Sequence, residues 1–282
     1  MSFDDMPPQT PYISAAAQNY ARNINAWSRE AVAASRCVLD LPYGPNYWQK
    51  IDIFLPKHES TTNLPVFLYL HGGGWRRGYK EEMGFMAPQI VSLPAIFVSV
   101  SYRLVPEVNT AEQIDDTISA IELVRNTAPQ YGGNPDKLAI GGHSAGAHLA
   151  TMATLRPDLL TARGLPADAI KYCFPVSGPF EIGPGGNPDE VKEMLGGSMT
   201  ALEASPITYV EGNKVPFYIT WASNDLQGML LTSEPMIEAL RKNGSRVDSH
   251  IFEGMDHFDI SMAHGKADNI WVQTVRQRLA EM

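Results

Sequence analysis

The chain has 282 residues, 44% of them hydrophobic and 19% charged, with a formal net charge of -9. This fits one large soluble domain with an ample core, and no apolar run reaches the roughly 18 residues that a membrane helix needs. With no basic cluster beyond Arg76-Arg77, the acidic balance speaks against nucleic acid and anionic membranes as partners.

The first residues, Met1-Ser-Phe-Asp-Asp-Met-Pro-Pro, carry acid where a secretory signal carries positive charge, so a cytoplasmic location is expected. Residues 1 to 12 read as a loose surface stretch. Ile13 to Ala33 places Ile13, Ala17, Tyr20, Ile24 and Trp27 at helical spacing, giving one or two helices that either pack on the body or overhang the site. Residues 1–35 are therefore set apart as a helical segment and lid candidate, with 36–282 as the catalytic body. Arg36 to Asp40 and Trp48 to Leu55 alternate around a Pro42-to-Asn46 turn, which predicts an antiparallel hairpin. Cys37 and Cys173 sit in separate apolar runs without metal-binding or redox spacing and read as buried free thiols.

Val66 to Leu70, Pro94 to Val100, the run ending at Gly141, Ile170 to Val176 and Val215 to Trp221 are apolar enough for buried parallel strands. Between them lie helical patterns at Thr110 to Ala128, with a Thr110–Gln113 capping box and its acids at the surface, and at Ala145 to Leu155 after a Gly132-to-Asp136 turn. Phe180 to Tyr209 loses periodicity, so 180–210 reads as a lid-like insertion after the sixth strand. Ser233 to Asn243, Val247 to Phe252 and Ile270 to Met282 follow as helix, strand and helix. The sum is an α/β chain with a mostly parallel central sheet of about eight strands flanked by helices.

Gly142-His-Ser144-Ala-Gly146 fits G-x-S-x-G, a sharp strand-to-helix turn that presents a strained serine to solvent. His71-Gly-Gly-Gly-Trp75 leaves a buried strand with glycines that can aim amide hydrogens at a ligand, so the oxyanion donors are assigned to Gly73, Gly74 and Ala145. A serine needs a base oriented by an acid. Of seven histidines, His143 and His148 lie on the elbow's own walls, and His71 is better suited to holding its loop. His58, His250 and His264 read as structural or exposed. His257, in a loop beyond the last strand, is the base, and Asp225, just past the preceding strand, is the acid; Asp256 and Glu253 are weaker rivals.

This combination resembles the α/β-hydrolase superfamily from about Asp40 onward. Tyr43-Gly44 leading to Gln49-to-Pro56, His71-to-Trp75 and Gly142-to-Leu149 are similar to the kynurenine formamidase (arylformamidase) and small carboxylesterase branch, and Tyr102-to-Glu107 is similar to hormone-sensitive-lipase-like esterases. The resemblance implies the α/β-hydrolase fold and a serine hydrolase acting on small esters or aryl formamides. Gly74 stands where the formamidases carry an aromatic residue. The expected partner is a small ester or amide substrate, with no metal and no cofactor, and the oligomeric state is left open with a homodimer among its outcomes. Trp75, Tyr79, Phe85 and Met86 are offered as substrate-pocket residues, each equally well placed for packing, and Arg76 or Arg77 as a carboxylate contact. The competing readings are another small-acylamide amidase and a non-catalytic binding protein on the same fold; a secreted polysaccharide or feruloyl esterase is set aside for want of an export signal.

Overall fold

In the computed structural model, which describes residues 3–57 and 62–282, eight strands form one sheet in the order β1-β2-β4-β3-β5-β6-β7-β8. The expectations for Met1, Ser2 and His58 lie outside the described residues. The first helix, α1 (Ala15–Ala34), is capped by Ser14 and precedes the antiparallel pair β1 (Arg36–Pro42) and β2 (Lys50–Leu55). Next come β3 (Leu64–Leu70), a 3-10 helix at Lys80–Met86, α2 (Ala87–Val91), β4 (Ile96–Val100) and α3 (Thr110–Thr127). The centre of the sheet is β5 (Gly133–His143), leading into α4 (Ala145–Leu155), α5 (Pro157–Ala162) and β6 (Ile170–Val176). The chain ends through α6 (Pro188–Leu195), β7 (Phe217–Asn224), α7 (Gln227–Lys242), β8 (Val247–Asp256), α8 (His257–Ala263) and α9 (Ile270–Ala280).

β2 pairs antiparallel with β4, and every pairing from β4 across to β8 is parallel. Continuous apolar strands arise because helices cover both faces. In β3, Val66, Leu68 and Leu70 join the core under α3, α4 and α7, whereas Phe67 and Tyr69 join the one that holds Ile24 of α1 and Trp271 and Val275 of α9. The period of two thus divides a single apolar run between two cores. Among the described residues no helix is long and apolar enough to cross a membrane.

Several expectations are corrected. The capping box of α3 uses Asn109 and Glu112, one residue before the expected pair, because the Asn109 side chain accepts from the Glu112 amide. Asp116 is not at the surface: it is buried and paired bidentately with Arg103, at 2.7 and 2.9 Å, and also accepts from Gln49. β5 begins at Gly133 rather than after a turn, since Gly133 already pairs with Leu64. The supposedly aperiodic insertion contains α6, capped by Asn187 and closed by Gly196 in the left-handed conformation. α7 starts six residues before Ser233; Gly228 gives its first turn close passage, a Cβ there lying 3.2 Å from the Pro184 carbonyl oxygen. Cys37 is half-buried, whereas Cys173 is buried, and both are free.

Candidate active site

The turn between β5 and α4 places Ser144 at φ 55°, ψ -120°, a conformation that L-residues rarely adopt and that costs of order 1–3 kcal/mol. Two glycines make the turn sterically feasible. A Cβ on Gly142 would stand 2.4 Å from the Gly146 carbonyl, and one on Gly146 would stand 2.2 Å from the Leu70 carbonyl oxygen. The Ser144 amide donates to the Val176 carbonyl oxygen at 2.9 Å, which ties the elbow to β6. Its hydroxyl makes no hydrogen bond among the described residues and faces a cavity of about 380 Å³.

Across that cavity, His257 occupies the first position of α8 rather than the loop expected from sequence. The helix forms because Asp256 caps it, accepting from the Phe258 and Asp259 amides. This cap also removes Asp256 as a partner for the adjacent imidazole. Asp225, just beyond β7, accepts from His257 Nδ1 at 2.6 Å. Glu253 is exposed. Burial by itself raises the Asp225 carboxyl, yet its bonds from His257, from Ser177 Oγ at 2.5 Å and from the Ala222 amide at 3.1 Å outweigh that and hold it below the ordinary carboxylate range.

Ser177 was not marked by the sequence. It directly follows β6 at φ 49° and is fully buried, and its only sequence signal was a Ser-Gly pair leaving a buried strand. A hydrogen bond to a charged group contributes about 1.5–3 kcal/mol. Ser177→Ala is therefore expected to lower unfolding free energy at neutral pH by about that amount, read as a fall in urea midpoint at unchanged slope.

The other histidines are accounted for. His71 Nδ1 donates to the Gly72 carbonyl oxygen at 2.7 Å and its ring stacks on Tyr102, whose hydroxyl donates to the His71 carbonyl oxygen. His148 donates from Nε2 to the Ala204 carbonyl oxygen at 2.7 Å and accepts from Trp75 Nε1 at 3.3 Å. Burial pushes both down to about 4, so both are neutral. His264, read as structural or exposed, takes the structural place: it is buried against Trp271 at 3.9 Å between ring centroids. His250 is exposed in β8.

Gly72, Gly73, Gly74 and Trp75 line the cavity beside Ser144, and the Gly73 and Gly74 amides enter no backbone hydrogen bond among the described residues. Both residues have positive φ, at 124° and 61°, and Ala145 is the first residue of α4, where amides lack intrahelical partners. Three expected pocket residues lie elsewhere. Tyr79 packs on Trp48 and donates to the Pro7 carbonyl oxygen, while Phe85 and Met86 are buried in the core beneath α1, because the 3-10 helix at Lys80–Met86 turns the chain away from the cavity. The wall is completed instead by Tyr12, Tyr20, Ile182, Met194, Met229 and Phe258.

Residues 3–12 are accordingly not loose: the Gln9 side chain bonds both the amide and the carbonyl of Gly78, at 2.8 and 3.1 Å. Arg76 and Arg77 both line the cavity. Arg76 pairs with Glu193 at 2.6 Å, and the Arg77 guanidinium lies over the Tyr12 ring at 5.1 Å.

Comparison with known proteins agrees with this architecture. Residues 51–240, about two thirds of the chain, match the family model described as BD-FAE. The chain belongs to the BD-FAE family. It is an α/β-hydrolase of the formamidase and carboxylesterase branch. Among relatives of this BD-FAE protein, a kynurenine formamidase of Danio rerio is 29% identical over 242 residues, covering 84% of this chain and 80% of that one. Esterase LipQ of Mycobacterium tuberculosis is 30% identical over 234 residues, covering 75% of this chain and 54% of that one. In structure, esterase B from Lactobacillus rhamnosis superposes with a TM-score of 0.74 at 18% identity, covering 94% of this chain and 92% of that one. The family match stops short of His257, so the elbow and the glycine loop fall within it and the imidazole does not.

Proposed function

We propose that this chain is a serine hydrolase that cleaves small carboxylic esters or aryl formamides through Ser144, His257 and Asp225. The observation that carries the reading is the buried 2.6 Å bond between Asp225 and His257 Nδ1 on the wall of the cavity that Ser144 faces. With Nδ1 held by the carboxylate, Nε2 is the ring nitrogen left to take the serine proton. Ser144 Oγ then bonds to the substrate carbonyl carbon, and the amides of Gly73, Gly74 and Ala145 stabilise the tetrahedral oxyanion. Collapse expels the alcohol or amine, protonated by His257, and leaves an acyl-Ser144. A water molecule, deprotonated by the same imidazole, releases the acid and restores the serine. No Ser144–His257 hydrogen bond is present in this structure, and such contacts commonly tighten only when substrate is bound.

The size and lining of the cavity favour small aromatic substrates. About 380 Å³ lies near the lower end of small-molecule sites, and Tyr12, Tyr20, Trp75 and Phe258 supply flat apolar walls. Residues 181–194, together with Tyr12 and Tyr20, serve as the lid in this reading, since both segments line the cavity. The test is kcat/KM for N-formylkynurenine, phenyl acetate and short p-nitrophenyl esters, with Ser144→Ala as background. The expected result is Ser144-dependent turnover of at least one class. Formamide turnover above ester turnover makes the protein an arylformamidase, ester turnover alone makes it a small-substrate carboxylesterase, and no Ser144-dependent turnover of either overturns the reading.

A further inference from the structure

The proposed nucleophile and base are carried by strands that do not touch. Ser144 follows β5 at the centre of the sheet, and His257 follows β8 at its edge, with β6 and β7 between them. Asp225 ties the imidazole sideways to the end of β7, which leaves its placement relative to β5 to other contacts. The direct link is His143. Its Nε2 lies 2.9 Å from the His257 carbonyl oxygen and its ring centroid 4.5 Å from that of His257, with the ring planes 39° apart.

A carbonyl oxygen only accepts, so Nε2 of His143 carries the hydrogen and Nδ1 presents a lone pair. That Nδ1 is buried without a hydrogen-bond partner among the described residues and faces the glycine loop, where a Cβ on Gly72 would approach it to 2.9 Å. The titratable groups around the ring are His257 at the end of β8, Asp225 beyond β7, Tyr20 of α1 with its ring centroid at 6.2 Å, and His264 at the end of α8. Burial first and the neighbouring His257 second hold His143 down at about 3, against the pull of Asp225 and of the carbonyl, so the ring is neutral across the working range. It can therefore face an imidazolium without adding a second positive charge.

The geometry points to His143 as a positioning residue that fixes the base relative to the nucleophile. Its Nε2–H holds the His257 main chain while its ring braces one face of the imidazole, and as the chain neighbour of Ser144 it transmits both constraints to the elbow. This role rests on the reading of Ser144 and His257 as nucleophile and base. A misplacement of about 1 Å at a reacting group can cost about a hundredfold in rate.

The test compares wild type, His143→Leu, which keeps bulk without a donor, and His143→Gln, whose amide restores an N–H at similar reach. Steady-state kinetics on phenyl acetate are measured beside the rate of Ser144 labelling by a fluorophosphonate. The leucine variant is expected to lose about 10- to 100-fold in kcat and in labelling rate, with KM within about twofold of wild type. Glutamine is expected to recover most of that loss. Should the leucine variant not fold, His143→Asn, whose shorter side chain cannot span the bond, takes its place. A folded leucine or asparagine variant within threefold of wild type, a change confined to KM, or a glutamine variant no better than the variant that lacks the bond overturns the role of His143. Absence of Ser144-dependent labelling in wild type instead overturns the hydrolase reading on which it rests.

Discussion

Ser144→Ala is expected to reduce turnover by on the order of 10⁵ to 10⁶ while leaving the fold intact. The kinetic loss is expected to be large because in the proposed mechanism nucleophile and base act as a unit: without the hydroxyl, His257 would have no proton to take and no acyl-enzyme would form. Stability should hardly move, because the hydroxyl makes no hydrogen bond among the described residues and its removal orphans no partner. Ser144→Gly separates catalysis from strain. Glycine adopts φ 55°, ψ -120° without a Cβ clash, so this variant should be as inactive as alanine yet more stable by about 1 kcal/mol, roughly 2–4 °C in thermal midpoint. Calorimetry of the three proteins checks this. A glycine variant less stable than alanine would mean that the elbow is not a strained turn.

The elbow and glycine loop were legible because their chemistry demands particular residue types at fixed short spacing. Gly142 and Gly146 are required by backbone atoms 2.2 to 2.4 Å from where a Cβ would stand, and a buried parallel strand needs a continuous apolar run. The pocket was not legible in the same way. Tyr79, Phe85 and Met86 follow the glycine loop in sequence, but Tyr79 packs half-buried on Trp48, a 3-10 helix invisible to a period of 3.6 turns Phe85 and Met86 into the core, and Tyr12 and Tyr20 replace them from the far end of the chain. Asp116 misled because a carboxylate on an amphipathic helix usually faces water, and only the tertiary approach of Arg103 shows why this one does not. Ser177 had no signal beyond a Ser-Gly pair, since its partner lies 48 residues away, just past β7.

Asp225→Asn is expected to lower kcat by about 10³ to 10⁴ with little change in KM, since the same substitution in a serine protease triad costs about 10⁴. The native carboxylate accepts from four donors: His257 Nδ1 and the Leu226 amide on one oxygen, Ser177 Oγ and the Ala222 amide on the other. An asparagine must turn its NH₂ toward one of these pairs. Facing Ser177 and Ala222, it opposes the buried Ala222 amide; facing His257 and Leu226, it opposes the part-buried Leu226 amide and forces the imidazole into the tautomer that cannot accept the serine proton. The first orientation leaves the buried Ala222 donor unpaired, at about 1–3 kcal/mol, and the second disables the base. The pH dependence follows from the depressed carboxyl. A group held below its unfolded value near 3.9 contributes stability that is fully present above that pH and is lost as pH falls through the folded value. The stability gap between wild type and Asp225→Asn should therefore be widest at neutral pH and shrink below about pH 4, as urea unfolding at pH 7, 5 and 3.5 would register. A gap constant across that range would mean that the ionised carboxylate is not what holds Ser177, Ala222 and His257 together.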